Sequence, residues 1–110
     1  MQKLSLDALA RQHLDRAATT SNGRSSETVY GGHEHVLRQT LIALRAATEL
    51  SDHENPGEAT LLVLRGRIRL RSADASWEGM PGDLLIVPQE RHAVEALEDA
   101  AFVLTVSKAV

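Results

Sequence analysis

The chain contains no cysteine. That absence rules out disulfides, zinc–thiolate centres and thiol nucleophiles. Aromatic residues are only 3% of the 110 residues, one each of Trp, Tyr and Phe. There is therefore no stacking platform for bases or sugars, and any core has to be aliphatic. Basic residues do not predominate either. The formal net charge is −3, with Lys and Arg scattered along the chain, which argues against direct binding to nucleic acid. No apolar run approaches the length of a membrane span. The opening residues, MQKLSLDALARQHLDR, carry acids and lack the apolar stretch of a signal peptide. A cytoplasmic protein without nucleic-acid or membrane partners is the expectation.

What is present is 43% hydrophobic residues in a length that suits one compact domain. Leu6, Leu9, Ala10, His13, Leu14 and Ala17 follow the spacing of one helical face. Ser5 precedes them as an N-cap and Asp7 sits in the first turn. An amphipathic helix this short must pack on something, its own domain or a partner chain, and His13 on that face reads as a packed or interfacial histidine. Residues 19–34 are rich in Ser, Thr, Asn and Gly and read as a connector with one short strand around Val29. From residue 35 onward the pattern changes. VLRQTLIAL (36–44), TLLVL (60–64), RIRL (67–70), DLLIV (83–87), HAVEAL (92–97) and AFVLTV (101–106) are short, aliphatic and often β-branched. Turn signals separate them: Asn55-Pro56-Gly57, Gly66, Ser72–Ser76, Pro81-Gly82-Asp83 and Glu98-Asp99. Short strands at this spacing predict an all-β sandwich or barrel over 35–110, preceded by a helix and connector over 1–34. RIRLR alternates cleanly, so one of its faces meets solvent.

Two segments carry further information. The first is His53-Glu54-Asn55, then Pro56-Gly57-Glu58-Ala59, then TLLVLRG ending at Gly66; the second runs from Gly82-Asp83 through Pro88 to Gln89-Glu90-Arg91-His92. Together they resemble the two motifs of the cupin family, G-x5-H-x-H-x3,4-E-x6-G and G-x5-P-x-G-x2-H-x3-N. The resemblance covers roughly residues 36 to 106. It implies a cupin-type double-stranded β-helix, the RmlC-like jelly-roll barrel, with the short N-terminal helix outside it.

The same resemblance implies a metal site, and here the chain departs from the pattern. In metal-binding cupins two histidines and a glutamate from the first motif meet a histidine from the second inside the barrel. His53 matches the first ligand, Asn55 stands at the second, and Ala59 stands at the glutamate. Ala47 stands where the motif opens with glycine, Glu90 replaces another glycine, and His92 lies one residue before the family histidine, at Ala93. Ala96 stands at the final asparagine. Glu58 is one residue out of register and on a regular strand would face away. Asparagine is a poor ligand for zinc, iron or copper. The metal candidates are thus His53 and His92, with His33 and His35 of the His33-Glu34-His35 stretch as lesser ones. A bound ion would be a divalent transition metal: Zn, Fe, Mn or Ni.

The expected ligand pocket gathers His53, Asn55, Glu58, His92 and either Gln39 or Arg38, since neighbours on a strand alternate; Gln39 is the candidate carried forward. Glu95 should lie outside, and Trp77 should cover one end of the barrel or an interface. The leading functional expectation is a small molecule bound inside the barrel with a weakened or absent metal site. One alternative is a metal-dependent enzyme, dioxygenase- or isomerase-like, in which His53 and His92 hold an ion that acts as Lewis acid or activates oxygen. Another is a metal-free enzyme resembling the epimerases, with a histidine as general base and Glu58 or Tyr30 assisting. A third is a non-catalytic ligand sensor or accessory protein. A homodimer is expected, because cupins associate through barrel strands and the apolar helix face needs a cover.

Overall fold

The computed structural model describes residues 2–53 and 57–107, with Asp52 and His53 described by their backbone alone. Helix α1 spans Leu6–Thr19 and starts where the sequence signals it: the Ser5 side chain accepts from the Ala8 N–H at 3.2 Å, and Asp7 lies in the first turn. Ala10, His13 and Ala17 are its buried residues. Its C-terminal carbonyls, which have no partner within the helix, are met from outside. The Arg45 guanidinium donates to the carbonyls of Ala17, Ala18 and Thr20 at 3.3, 3.3 and 3.0 Å. At the other end Asp7 pairs with Arg65.

Among the described residues nine strands follow: β1 (Arg24–Gly31), β2 (Leu37–Leu44), β3 (Glu49–His53), β4 (Glu58–Arg65), β5 (Ile68–Ser72), β6 (Ser76–Gly79), β7 (Leu84–Ile86), β8 (His92–Ala96) and β9 (Ala100–Ser107). They form a five-stranded sheet in the order β1-β2-β9-β4-β7 and a four-stranded sheet in the order β3-β8-β5-β6; the strand pairs are antiparallel. The six apolar segments of the sequence become β2, β4, β5, β7, β8 and β9. The strands that the pattern does not announce, β1 as a full strand, β3 and β6, are all at sheet edges. An edge strand buries less, so it needs less apolar alternation to be stable. The stretch read as a connector therefore holds an eight-residue strand.

The core lies between the sheets. Ile42, Leu44, Leu61, Val63 and Phe102 from the larger sheet meet Ile68, Leu70, Val94 and Ala96 from the smaller one. These residues occupy alternate positions on their strands, so their neighbours face outward. On the larger sheet the outward row, Leu41, Ala43 and Ala101, is apolar and lies under α1 with Leu64 and Val29. The helix thus packs on its own sheet, and the need for a cover that motivated a partner chain is met within the chain. On β1 the same row carries Ser25 and Glu27, which hold the buried His13: Nδ1 is 2.6 Å from Ser25 Oγ and Nε2 is 2.5 Å from Glu27 Oε1. On the smaller sheet the outward row is charged. Arg69 pairs with Glu78 and Glu95, and Arg71 with Glu49.

Two turns show why the chain can bend where it does. Gly66, in the β4–β5 turn, has φ +69°, and a Cβ there would come within 2.1 Å of the Asp99 carbonyl oxygen. Only glycine fits. Ala47, between β2 and β3, has φ +74°. It occupies the position where the resemblance calls for glycine, and the backbone keeps the left-handed conformation despite the methyl group. The turn is held by its surroundings: the Ala47 N–H donates to Ala96 O at 2.9 Å, and the Ala46 N–H to Asp99 Oδ1 at 2.8 Å.

Candidate functional site at one end of the barrel

One end of the sandwich gathers the chemistry-bearing residues. Register places there the start of β2 opposite the end of β9 (Leu37 with Ser107) and the start of β4 opposite the same residue (Glu58 with Ser107). The β1–β2 connection and the Pro88–Arg91 segment leading into β8 run at this end.

His92 opens β8. It shares an alternating row with Val94 and Ala96, which face the core, and it is 2% exposed. Its Nδ1 is 2.9 Å from the Glu90 carbonyl oxygen. A carbonyl can only accept, so Nδ1 carries the proton and, in the neutral ring, Nε2 is the acceptor. Its neighbours across the sheet are Ser72 of β5 and His53 of β3. The pairing with His53 depends on a bulge. Glu49 pairs with Glu95 and Leu50 with Val94, and an uninterrupted register would then set Asp52 opposite His92. A one-residue shift between Leu50 and His53 makes His53 the Cα partner instead.

The other candidates fall elsewhere. Ala59 is 4% exposed and belongs to the aliphatic core, while Glu58 is exposed at the start of β4. Gln39 shares its row with Leu41 and Ala43, which face α1. Its amide donates to Thr105 Oγ1 at 3.1 Å, and it lines a cleft of about 280 Å³ outside the barrel with Leu4, Leu6, Val29, Tyr30 and Val103. Arg38 takes the alternate row and is exposed. His33 and His35 are exposed in the β1–β2 connection, where the His35 ring meets Tyr30 edge-on at 5.6 Å. Asn55 lies outside the described residues. Glu95 pairs with Arg69 on the outer face. Ser72 had no signal in the sequence, because it lies in a stretch that reads as a turn and is instead the last residue of β5.

The motif's metal centre can be tested against these residues. The position of its carboxylate is Ala59, whose methyl group packs among aliphatic side chains and supplies no donor. Among the described residues no three His, Asp or Glu side chains come together as a metal-binding group. The four-ligand set of the resemblance does not fit this chain.

No protein-family model matches the chain, and no curated protein matches its sequence. Solved structures do. A cupin superfamily protein from Desulfitobacterium hafniense DCB-2 superposes with a TM-score of 0.79 at 18% identity, over 98% of this chain and 92% of that one. The chain has the cupin fold. An RmlC-like cupin protein from Desulfovibrio desulfuricans gives 0.67 at 23% identity, covering 79% of this chain and 84% of the other. KdgF from Halomonas sp. gives 0.68 at 17% identity, covering 84% and 85%. The cupin barrel is thus as the sequence resemblance implies, and the N-terminal helix as its own periodicity implies. No helix among the described residues is long and apolar enough to cross a membrane.

Proposed function

We propose that this cupin barrel binds a small molecule at the end marked by His92 and His53, without a tightly held transition metal. The observation that carries the reading is the cross-strand pairing of two histidines, one of them buried, at the end of an otherwise aliphatic barrel. A buried imidazole whose Nδ1–H is held by the Glu90 carbonyl is fixed in orientation and tautomer. Such a group orients a hydroxyl or amide of a ligand, or takes a proton from carbon next to a carbonyl. The absence of a donor at Ala59 is the reason for the metal-free reading.

The test has two arms. Protein purified without chelators or a nickel column should carry well under one equivalent of Zn, Fe, Mn or Ni by elemental analysis. A fragment screen by ligand-observed NMR should give binders that are lost in both His53→Ala and His92→Ala. Stoichiometric metal removed by His53→Ala would replace this reading with the metal-dependent one. Binders indifferent to both substitutions would move the site away from this end of the barrel.

A further inference from the structure

The cleft beside Gln39 lies outside the barrel, between the chain leading into α1 and the outer face of the five-stranded sheet. It encloses about 280 Å³. Leu4, Leu6, Val29, Val103 and the Tyr30 ring wall it, and Gln39 stands among them. We propose that this cleft is a second ligand site, for a small neutral molecule with an apolar body and a hydroxyl group that bonds the Gln39 amide.

The sheet is shaped to form it. The outer row beneath α1 is Leu41, Ala43 and Ala101. One step further along the same strands stand Gln39 and Thr105, which are cross-strand partners. A bulge in β1 supplies the aromatic wall. Thr28 pairs with Thr40, so an uninterrupted register would set Tyr30 opposite Arg38, in the alternate row. A one-residue shift between Thr28 and Tyr30 makes Gln39 the Cα partner of Tyr30 instead. Val29 and Tyr30 therefore both line the outer cleft, although neighbours on a regular strand face opposite ways. The His35 ring meets Tyr30 edge-on at 5.6 Å and backs this wall.

The chemistry of the lining selects the ligand. Gln39 Nε2 donates to Thr105 Oγ1 at 3.1 Å, which fixes the direction of the amide. Gln39 Oε1 accepts no hydrogen bond among the described residues, so it is open to a ligand hydroxyl. No charged side chain lines the cleft. An ionic group entering it would lose hydration and find no counter-charge. Apolar walls around one placed polar group are the anatomy of a small-molecule site, and the volume stands just below the roughly 300–1,000 Å³ such sites span. Leu4 and Tyr30 are 54% and 51% exposed, an apolar rim that a ligand would cover. The site is separate from the one at His92, which faces the core from the other sheet.

The test titrates n-hexanol into the isotope-labelled full chain and follows two-dimensional NMR spectra, with hexanoate and hexylammonium as charged counterparts of equal length. In the wild type, n-hexanol should move the Gln39 side-chain amide and the Val29 and Tyr30 backbone amides saturably, at millimolar concentration. Hexanoate and hexylammonium should bind about tenfold more weakly or worse. Gln39→Leu keeps the side-chain volume and should weaken n-hexanol about fivefold, as expected for one lost hydrogen bond. Arg69→Ala, on the other sheet, should leave the affinity unchanged. The wild-type resonances report the site even where a variant fails to fold. An absence of saturable shifts at Gln39 overturns the proposal. So do equal affinities for the neutral and charged probes, or a folded Gln39→Leu variant that binds n-hexanol as the wild type does. Shifts confined to β8 would assign the alcohol to the His92 end and overturn it as well. Shifts at Gln39 and Tyr30 that follow protein concentration without any probe would give the cleft to a second copy, with the same consequence.

Discussion

The outer faces of the two sheets begin from the same alternation and end as different surfaces. On the five-stranded sheet Leu41, Ala43 and Ala101 are fully buried beneath α1. On the four-stranded sheet Arg69 and Arg71 are half-exposed and pair with Glu49, Glu78 and Glu95. The inner row is apolar in both, so it cannot explain why a helix covers one face and not the other. The outer row does. Aliphatic outer residues gain by being removed from water, and a helix with a matching stripe is the nearest cover. Alternating arginine and glutamate would lose hydration beneath a helix, whereas in solvent each pair contributes little. One polar feature does lie under the helix, and it is satisfied: both ring nitrogens of His13 have partners on β1.

This contrast can be broken at its strongest point first. Leu41→Ala removes the largest fully buried side chain of the helix-covered row and should cost about 2–5 kcal/mol in urea unfolding. A loss under about 1 kcal/mol would mean the helix is not packed as described. His13→Ala empties a buried position under the helix, removes its bonds to Ser25 and Glu27, and should cost about 1–3 kcal/mol. His13→Gln, which can restore one bond, should recover part of that loss.

The turn at Ala47 joins the two sheets, and there the expected change is a gain. Ala47→Gly relieves a side chain held at φ +74° and should stabilise by about 1 kcal/mol, read as a rise of a few degrees in melting temperature. An unchanged or lower midpoint would show that the surrounding hydrogen bonds carry no strain. The smallest effect belongs to the charged face. Arg69→Ala should change stability by no more than about 0.5 kcal/mol, because its pairs are exposed, and molar salt should erase even that difference. A cost comparable to that of Leu41→Ala would remove the distinction between the two faces.

The same difference explains how much was legible beforehand. Strands with an apolar row announce themselves, to within two residues at their ends. The alternation of RIRLR predicts a face toward solvent, and Arg69 and Arg71 form the outer, charged row. The stripe on α1 was visible with its Ser5 cap, but its partner was not, because an apolar stripe does not name what covers it. Edge strands β1, β3 and β6 were hidden by their polarity. At the candidate site the spacing marked His53 and His92 but could not pair them, since alternation from Leu50 favours Asp52. It equally left Gln39 and Arg38 undecided.

What the sequence by itself determined is therefore the periodic part: which segments are strands, which rows are buried, where glycine or a left-handed turn must stand, and that Ala59 leaves the motif without its carboxylate. These follow from local sterics and from the period of two, and both act between near neighbours. The tertiary structure alone decided that α1 lies on its own sheet, that a bulge in β3 makes His53 the partner of His92, that Gln39 faces the outer cleft, and that the β6–β7 edge stays apolar and open. Each depends on which strands become neighbours and in what register, and that is set by burial summed over the whole core.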